Sequence, residues 1–246
     1  MNRNHLKIIA CICMFCDHAG LLLFPQLTVL RWVGRLAMPL FAFFIGEGCL
    51  HTSNRKKYFL SLFVLGAGCQ AVYIAQDLFI NKRLTVSSDA WYFNILFTFC
   101  FAAAACFLLL DAKKTSAAGD RKRAVAAWGK FGCYFTAAAA LTGVCYYLRR
   151  RGWSVYFDYG LCGVLLPLCA AAFTDKKRRL LAFSAALAVY CAVYCRSMPF
   201  VWFSFLSLPL LFVYDGQGGS KKLKYLFYVF YPAHLGLLYL LALLLR

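Results

Sequence analysis

Long apolar runs, separated by short polar and basic connections, extend along almost the whole chain. A run of about 18 or more apolar residues is long enough to cross a hydrocarbon layer roughly 30 Å thick as a helix. No polar stretch is long enough for a soluble domain, so residues 1–246 are expected to form a single transmembrane domain. We therefore predict an all-α fold, a polytopic integral membrane helix bundle. The pattern predicts nine membrane-spanning helices, at residues 6–24, 32–50, 58–76, 91–110, 125–148, 156–173, 180–194, 200–214 and 225–245.

The composition agrees with this class of protein. The chain has 246 residues, 63% of them hydrophobic, and a mean hydropathy of +0.68, whereas a soluble domain is about half apolar. Its 13 cysteines are scattered through the apolar runs, with neither a paired framework nor the spacing of metal ligands. No metal is therefore expected, and the inserted Asp17 in "CMFCDH" breaks the haem-attachment pattern C-x-x-C-H.

Basic residues predict the orientation of the chain. The formal charge is +18, from 27 Lys and Arg against 9 Asp and Glu. Most of these basic residues lie in connections, and cytoplasmic connections of membrane proteins are enriched in Lys and Arg. This predicts a cytoplasmic N-terminus and a location in the cell (inner) membrane. Because topology explains the charge, and no aromatic residues are interleaved with it, no nucleic acid is expected. The predicted inner segments hold the basic residues of 3–7, 55–57, 113–130, 176–179 and 221–224, and "RRRGW" at 149–153 is an exception on the outer side.

Several ionisable residues fall inside the predicted spans. A charge in hydrocarbon costs at least ~2.5 kcal/mol, so such residues usually face the protein interior and mark a site. The alternatives are structural: His18 as a hydrogen-bonded imidazole between helices, Asp17 as a plain partner of Arg35, and His234 in either role. The candidates are Asp17, His18, Arg31, Arg35, Glu47, Asp158 and His234.

The spacing of Lys7 and His18 places both on one face of the first helix. Eleven residues make almost a whole number of turns, and they separate the two residues by about 16 Å along the axis. Asp17 and His18 point about 100° apart on the same helix and need not contact each other.

Three stretches of the chain resemble the TraX family of integral-membrane proteins, whose namesake acetylates the N-terminus of a conjugative pilin. They are "LKIIACICMFCDHAG", "LRWVGRLAMPLFAFFIGEGCLHTSNRKKY" and "SLPLLFVYDGQGGSKKLKYLFYVFYPAHL". "NILFTF" at 94–99 and "DYGLCGVLLP" at 158–167 are also similar. The family in turn is similar to a broader group of membrane acyltransferases, which move an acetyl group from cytoplasmic acetyl-CoA to acceptors in or across the membrane. In that group a basic residue, ten intervening positions and a histidine mark the first helix; Lys7 and His18 have this spacing, with lysine in place of the usual arginine.

The resemblance implies a membrane-bound O- or N-acetyltransferase in which His18 acts as general base, with an acetyl-histidine intermediate as an open alternative. Asp17 or Asp158 would orient the imidazole or stabilise its charged form, and Arg35 would stabilise the oxyanion or hold Asp17. His234 is a further candidate for the catalytic site. The expected partners are acetyl-CoA, membrane lipids and an acceptor peptide, glycan or small molecule. Candidates for binding the donor are Lys7, Asn94, Tyr231 and the cluster Arg55, Lys56 and Lys57, which the positive-inside rule also explains.

Two other classes of protein fit the same residues. A small-molecule or lipid-linked-substrate transporter or flippase would use intramembrane charges, proline-broken helices and an outer basic patch, although the chain shows no inverted repeat. A non-catalytic subunit that captures a substrate is the third class. The identity of the acceptor and the oligomeric state are left open by the sequence.

Overall fold

The fold is built almost entirely from helices of very different lengths. The computed structural model describes residues 1–80, 91–218 and 223–245. Most of the polar connection after the third predicted span, together with the basic residues Lys221 and Lys222, lies outside the described residues. The α-helices are α1 (Arg3–Leu22), α2 (Thr28–Gly34), α3 (Ala37–His51), α4 (Arg55–Ala75), α5 (Ile95–Ala117), α6 (Arg121–Arg150), α7 (Gly160–Ala172), α8 (Lys176–Tyr194), α9 (Ser207–Val213) and α10 (Leu223–Leu244).

Shorter elements join these helices. A π-helical turn, Gln76–Ile80, follows α4, and a 3₁₀ helix, Pro199–Leu206, leads into α9. Two short strands, β1 (Tyr92–Phe93) and β2 (Tyr156–Phe157), pair in parallel. The all-α membrane class predicted from the sequence is therefore confirmed, with one minimal β-ladder added.

Five segments of the described chain are long and apolar enough to cross a membrane. Shorter apolar helices cover Gly160–Ala172, Pro199–Val213 and Val229–Leu244. All nine predicted runs contain helix, but the count of nine spans stays a prediction, as does the cytoplasmic N-terminus. The five segments are Arg3–Leu22, Thr28–His51, Arg55–Phe79, Ile95–Ala117 and Arg121–Arg150.

The chain divides into two compact units, Met1–Phe43 with Phe183–Arg246 and, between them in sequence, Phe44–Ala182. The boundaries fall inside α3 and α8. The prediction of a single domain stays a prediction. We refer to these as the first unit and the second unit.

The core of the first unit joins α3, α8 and the end of α9. The ring of Phe43 meets Phe183 edge to face at 5.4 Å and Tyr214 at 6.3 Å, and all three side chains are almost completely buried. The 3₁₀ helix packs on α2 because Phe203 stacks on Trp32 with ring centroids 5.1 Å apart. Offset aromatic contacts of this kind add to the stabilisation from burial.

The second predicted span is interrupted between α2 and α3, at Arg35 and Leu36. Pro39 lies in the first turn of α3 and has no N–H, so it leaves the carbonyl of Arg35 without its helical donor. The hydroxyl of Ser204, on the 3₁₀ helix, donates to that carbonyl at 3.1 Å. In a membrane protein a freed backbone group needs such a partner, and here the partner also ties the break to the 3₁₀ helix.

Helices α1 and α10 run in the same direction. The Lys7 ammonium lies 5.5 Å from the ring centroid of Phe227, and further along both helices the rings of His18 and His234 are in contact. The segment before α10 also lies beside the start of α1, because the backbone N–H of Arg3 donates to the carbonyl of Gln217 at 3.1 Å. Two parallel end helices that both cross a membrane require an odd number of crossings in total.

Most basic residues of the second unit lie at one of its ends. Arg55 at the start of α4 forms an ion pair with Asp111 near the end of α5 at 2.7 Å. Lys113 of α5 donates to the carbonyl of Ala172 at the end of α7. Three of the predicted inner segments thus share one end of this unit: residues 55–57, 113–130 and 176–179.

The opposite end of the second unit carries the β-ladder and the exceptional basic patch. β2 follows the patch, and the Arg149 guanidinium lies 4.3 Å from the ring centroid of Tyr156. A helix of 30 residues, such as α6, is about 45 Å long, so its two basic ends lie far apart. The grouping matches the predicted division into inner and outer connections.

We expect the two ends of the chain to lie on opposite sides of the membrane. Alkaline phosphatase, which is active only after export, should be active when fused after residue 245 and inactive when fused after Gly119, in the basic connection between α5 and α6. The reason is the parallel course of α1 and α10, combined with the positive-inside rule. Activity at both positions, or at neither, would contradict this topology.

Candidate functional site

Asp17 contacts two arginines with its carboxylate, Arg31 in α2 and Arg35 in the break after α2. Its carboxylate accepts hydrogen bonds from Arg31 at 2.8 Å and from Arg35, and its backbone carbonyl accepts from Arg31 at 3.0 Å. The side chains are 15% (Asp17), 26% (Arg31) and 5% (Arg35) exposed. Charge-assisted bonds of this kind are the strong ones in a low dielectric. The pairing of Asp17 with Arg35, one of the two roles considered from the sequence, is therefore present.

Arg35 also contacts the segment that precedes and begins the 3₁₀ helix. Its guanidinium lies 3.3 Å from the sulfur of Met198, while its carbonyl accepts from Ser204. The side chain and the backbone of one residue are thus held from opposite directions. This fixes where the guanidinium can point.

Two glycines allow α1 and α2 to approach closely around this ion pair. A Cβ on Gly34 would lie 2.7 Å from the Cα of Asp17 and would overlap its side chain. A Cβ on Gly20 would lie 2.8 Å from the Cβ of Leu30. Small residues serve this purpose between membrane helices because they let backbones come together. Without Gly34 the carboxylate of Asp17 would have to move away from the arginines.

His18, the next residue of α1, contacts a different helix. Its Nδ1 lies 2.8 Å from Nε2 of His234 in α10, and the ring centroids are 5.0 Å apart. Nδ1 of His234 lies 2.9 Å from the carbonyl oxygen of Phe230, one turn earlier in α10. Nε2 of His18 makes no hydrogen bond to the described part of the chain. His18 is partly buried, and His234 is only 4% exposed.

The ring of His234 is held by aromatic neighbours on its own helix. Phe230 stacks on it almost in parallel, with centroids 4.9 Å apart, and Tyr231 meets it edge to face at 5.6 Å. Both aromatic side chains pack against a cluster formed by Cys13, Met14 and Ala37. Tyr231, predicted as a member of the donor site, therefore lies at the histidine pair.

Lys7 and His18 share one face of α1, as their spacing predicts, because both contact α10. A groove of about 260 Å³ lies between the two helices beside this face. All of its lining residues are apolar, so it suits hydrocarbon and offers no side-chain partner for amide groups. The lining residues are Ile8, Cys11, Ile12, Phe15, Phe227 and Phe230.

Asp158 lies in the second unit, at the end with the β-ladder. Its backbone N–H donates to Phe93 at 2.9 Å, and its carbonyl accepts from the Thr98 hydroxyl at 2.8 Å. Its carboxylate is hydrogen-bonded to Tyr92. Burial first, and then this carboxylate, raise the pKa of the Tyr92 phenol well above its ordinary value. Within its unit Asp158 therefore ties β2 to α5 and β1.

Asn94 begins α5 and uses its side chain to fasten that helix to α4. Its amide nitrogen donates to the carbonyl of Gly66 at 2.9 Å and to Oε1 of Gln70 at 3.2 Å. Its side-chain oxygen accepts from the backbone N–H of Leu96 at 3.1 Å, which caps the helix. The buried amide therefore has a clear structural role, and its role in donor binding stays a prediction.

The basic cluster at 55–57 also lies in the second unit. Arg55 is bound to Asp111 and lies 5.1 Å from the ring centroid of Phe107, whereas Lys56 and Lys57 are exposed. The first unit thus brings together Asp17, His18, Arg35, Tyr231 and His234 and carries Lys7 further along α1, and the second unit holds Asp158, Asn94 and the cluster.

Two contributors to the site were not predicted from the sequence. The carbonyl of Phe230 is a backbone group that no motif reveals. Ser204 is one small polar residue in an apolar run. It is needed because Pro39 supplies no N–H to the carbonyl of Arg35. The sequence contained a signal for such a partner, because a proline inside a continuous helical span removes the donor to the carbonyl four residues earlier.

Fold and site together define a multi-pass, α-helical membrane protein whose first helix carries a buried polar site. The family model described as "TraX protein" matches residues 2–242. The chain belongs to the TraX family, which confirms the resemblance seen in the sequence.

Two relatives are similar to the chain. A protein of Dichelobacter nodosus named "Probable fimbrial assembly protein FimC, serogroup H1" is 30% identical over 263 aligned positions, covering 97% of each chain. An uncharacterized protein of Rickettsia prowazekii is 56% identical over 44 residues, which is 18% of each chain. No solved structure matches the chain.

Replacing Asp17 by asparagine should destabilise the first unit by about 3 kcal/mol, because the change leaves two largely buried guanidinium groups without their counter-charge. Thermal unfolding in detergent measures the loss. The matched control is Asp120→Asn at the exposed start of α6, where the surface pair with Arg123 contributes at most about 1 kcal/mol and asparagine also caps a helix. Equal losses in the two variants would show that the buried ion pair does not stabilise the unit.

Proposed function

We propose that this protein is a membrane-bound acetyltransferase that moves an acetyl group from cytoplasmic acetyl-CoA to an amine or hydroxyl acceptor. The observation that carries the proposal is the histidine pair: a partly buried imidazole on the first helix, held at Nδ1 by His234 and unbonded at Nε2 within the described chain. Membership of the TraX family supports acetyl transfer as the reaction.

In this reaction His18 removes a proton from the acceptor as its nitrogen or oxygen attacks the thioester carbonyl. The new C–N or C–O bond forms, the C–S bond breaks, and the proton on His18 is returned to the leaving thiolate. An imidazole can take up a proton on one ring nitrogen and release it again, and a positioned base of this kind is typically worth ~10²–10⁴-fold in rate. No net proton is gained or lost by the enzyme.

Arg35 is proposed to stabilise the oxyanion that forms on the thioester carbonyl. The Ser204 contact and the Asp17 ion pair hold this arginine in one place, and a donor that is already oriented stabilises developing charge without reorganisation. Asp17 is then a positioning residue, which holds the two arginines. The catalytic role of Asp158 stays a prediction.

For the donor, Lys7 is the proposed contact with a CoA phosphate. It lies on the face of α1 that carries His18, about 16 Å away along the axis, and the predicted orientation places it at the cytoplasmic end. Lys56 and Lys57 are further candidates for phosphate contacts, on the predicted inner end of the second unit. The apolar groove beside α1 is not assigned to the donor, because the pantetheine arm carries two amide groups that the groove would leave unpaired.

For the acceptor, the named relative points toward pilus subunits. The Dichelobacter nodosus protein is named as a probable fimbrial assembly protein, and the family's namesake acetylates a pilin N-terminus. We therefore propose a peptide amine as the first acceptor to test, with a glycan or small-molecule hydroxyl as the alternative.

The full-length protein, purified in detergent and incubated with acetyl-labelled acetyl-CoA and envelope extract, should release free thiol and label an acceptor. His18→Gln should lower both signals by ~10²-fold or more, since the base is lost. His51→Gln is the matched control, because His51 is an exposed histidine at the end of α3 and should leave the rate unchanged.

Two results would contradict the proposal. Labelling at an unchanged rate in His18→Gln would exclude His18 as the base. Movement of a labelled solute across proteoliposomes, with no thiol released in the presence of extract, would instead indicate a transporter.

A further inference from the structure

We propose that His234 is a positioning residue that sets the tautomer of His18, so that His18 presents an unprotonated Nε2 as the reacting nitrogen. This inference rests on the proposed function for its catalytic meaning. The hydrogen-bond pattern that carries it stands independently of any activity. It consists of a chain of three groups: the carbonyl of Phe230, the ring of His234 and the ring of His18.

The chain of hydrogen bonds has a defined beginning. A backbone carbonyl only accepts, so the 2.9 Å contact between Phe230 and Nδ1 of His234 requires a proton on that nitrogen. In a neutral imidazole the other nitrogen then carries a lone pair. Nε2 of His234 is therefore an acceptor.

The second hydrogen bond follows from the first. Nδ1 of His18 lies 2.8 Å from Nε2 of His234. Because Nε2 of His234 is an acceptor, Nδ1 of His18 must carry the proton of that contact. The remaining nitrogen of neutral His18, Nε2, has no proton. An unconstrained imidazole prefers the opposite tautomer, with the proton on Nε2, so the pair reverses the ordinary preference.

The pair also accepts no more than one extra proton. With both rings charged, an N–H of His18 would face an N–H of His234 at 2.8 Å, and the hydrogen bond would be lost. A proton taken up at Nε2 of His18 is therefore shared along the same bond, because the proton on Nδ1 of His18 can shift to His234. When the thiolate leaves, the proton returns from Nε2 of His18 and the pair is again neutral.

Packing holds the ring of His234 in the orientation that this chain of hydrogen bonds requires. The parallel stack with Phe230 and the edge contact with Tyr231 fix the plane of the imidazole. Rotation of that ring by 180° about its bond to Cβ would exchange a nitrogen and a carbon at the carbonyl and break the chain. The role of His234 is therefore tested with substitutions that keep or remove the acceptor for Nδ1 of His18.

Nitrogen NMR on protein labelled with ¹⁵N-histidine tests the tautomer without reference to activity. The chain has four histidines, and the signals of His18 are assigned by their loss in His18→Gln. We expect His18 to carry its proton on Nδ1 and to have an unprotonated Nε2. A proton on Nε2 of neutral His18 would overturn the inference, whether or not the protein transfers acetyl groups.

Two variants of His234 then test the role in catalysis. His234→Gln keeps an oxygen acceptor for Nδ1 of His18, and should retain the tautomer and a kcat within ~10-fold of the wild type. His234→Leu removes the acceptor, and should lose the tautomer and ~10²-fold or more in kcat, with little change in KM for acetyl-CoA. Equal loss of kcat in both variants, with the wild-type tautomer retained in both, would show that His234 acts only through packing and would overturn the positioning role.

Failure of the proposed function gives a different result. If the wild type shows no acetyl transfer but His18 has the expected tautomer, then the proposed function fails while the hydrogen-bond chain stands. If transfer depends on His18 but the tautomer is the opposite one, then the positioning role fails while the proposed function stands.

Discussion

The first unit depends on the cost of placing ionisable groups inside apolar helices. Such groups are retained only when other polar groups satisfy them. Asp17 and His18 are consecutive and point about 100° apart, so a single neighbouring helix does not serve both. Asp17 is satisfied by the arginines of α2, and His18 by a histidine of α10. Two adjacent polar residues thereby tie α1 to two different helices, which is why a short polar interruption organises so much of the unit.

The same constraint extends to the backbone. Pro39 leaves the carbonyl of Arg35 without a helical donor, and Ser204 satisfies it. The guanidinium of Arg35 turns from this break toward Asp17, and Gly34 gives the carboxylate the room to reach it. The break in the second predicted span is therefore part of the ion-pair site. A continuous helix would satisfy the carbonyl of Arg35 internally and would not need the hydroxyl of Ser204.

Much of this arrangement could be predicted from the residues. The apolar runs identify the helices, the eleven-residue spacing places Lys7 and His18 on one face, and the pairing of Asp17 with Arg35 was one of two stated roles. The pairing of His18 with His234 could not be predicted, because 216 positions separate them and no local pattern encodes the contact. For Asn94 the residue type itself is ambiguous. Its amide caps the start of α5 and bonds to the backbone of α4. A buried asparagine in the sequence does not show whether its amide binds the backbone or a ligand.

His18 is paired with the imidazole of His234 and not with the carboxylate of its neighbour Asp17. The charge of a carboxylate explains why an imidazole suits this position better. A carboxylate beside His18 would stabilise the imidazolium and place a permanent charge in the apolar interior. Asp17 already meets two guanidinium groups, so its charge is used there. In the proposed arrangement His234 supplies a hydrogen bond to His18 without adding charge, and the neutral pair accepts one proton and releases it again. The base proposed for His18 takes up a proton and returns it, so its partner must keep the ring in position both with and without that proton and must not stabilise the charged form permanently. The two rings, anchored on the carbonyl of Phe230, would meet that requirement, because the pair is neutral before the proton is taken up and neutral again once the proton is released.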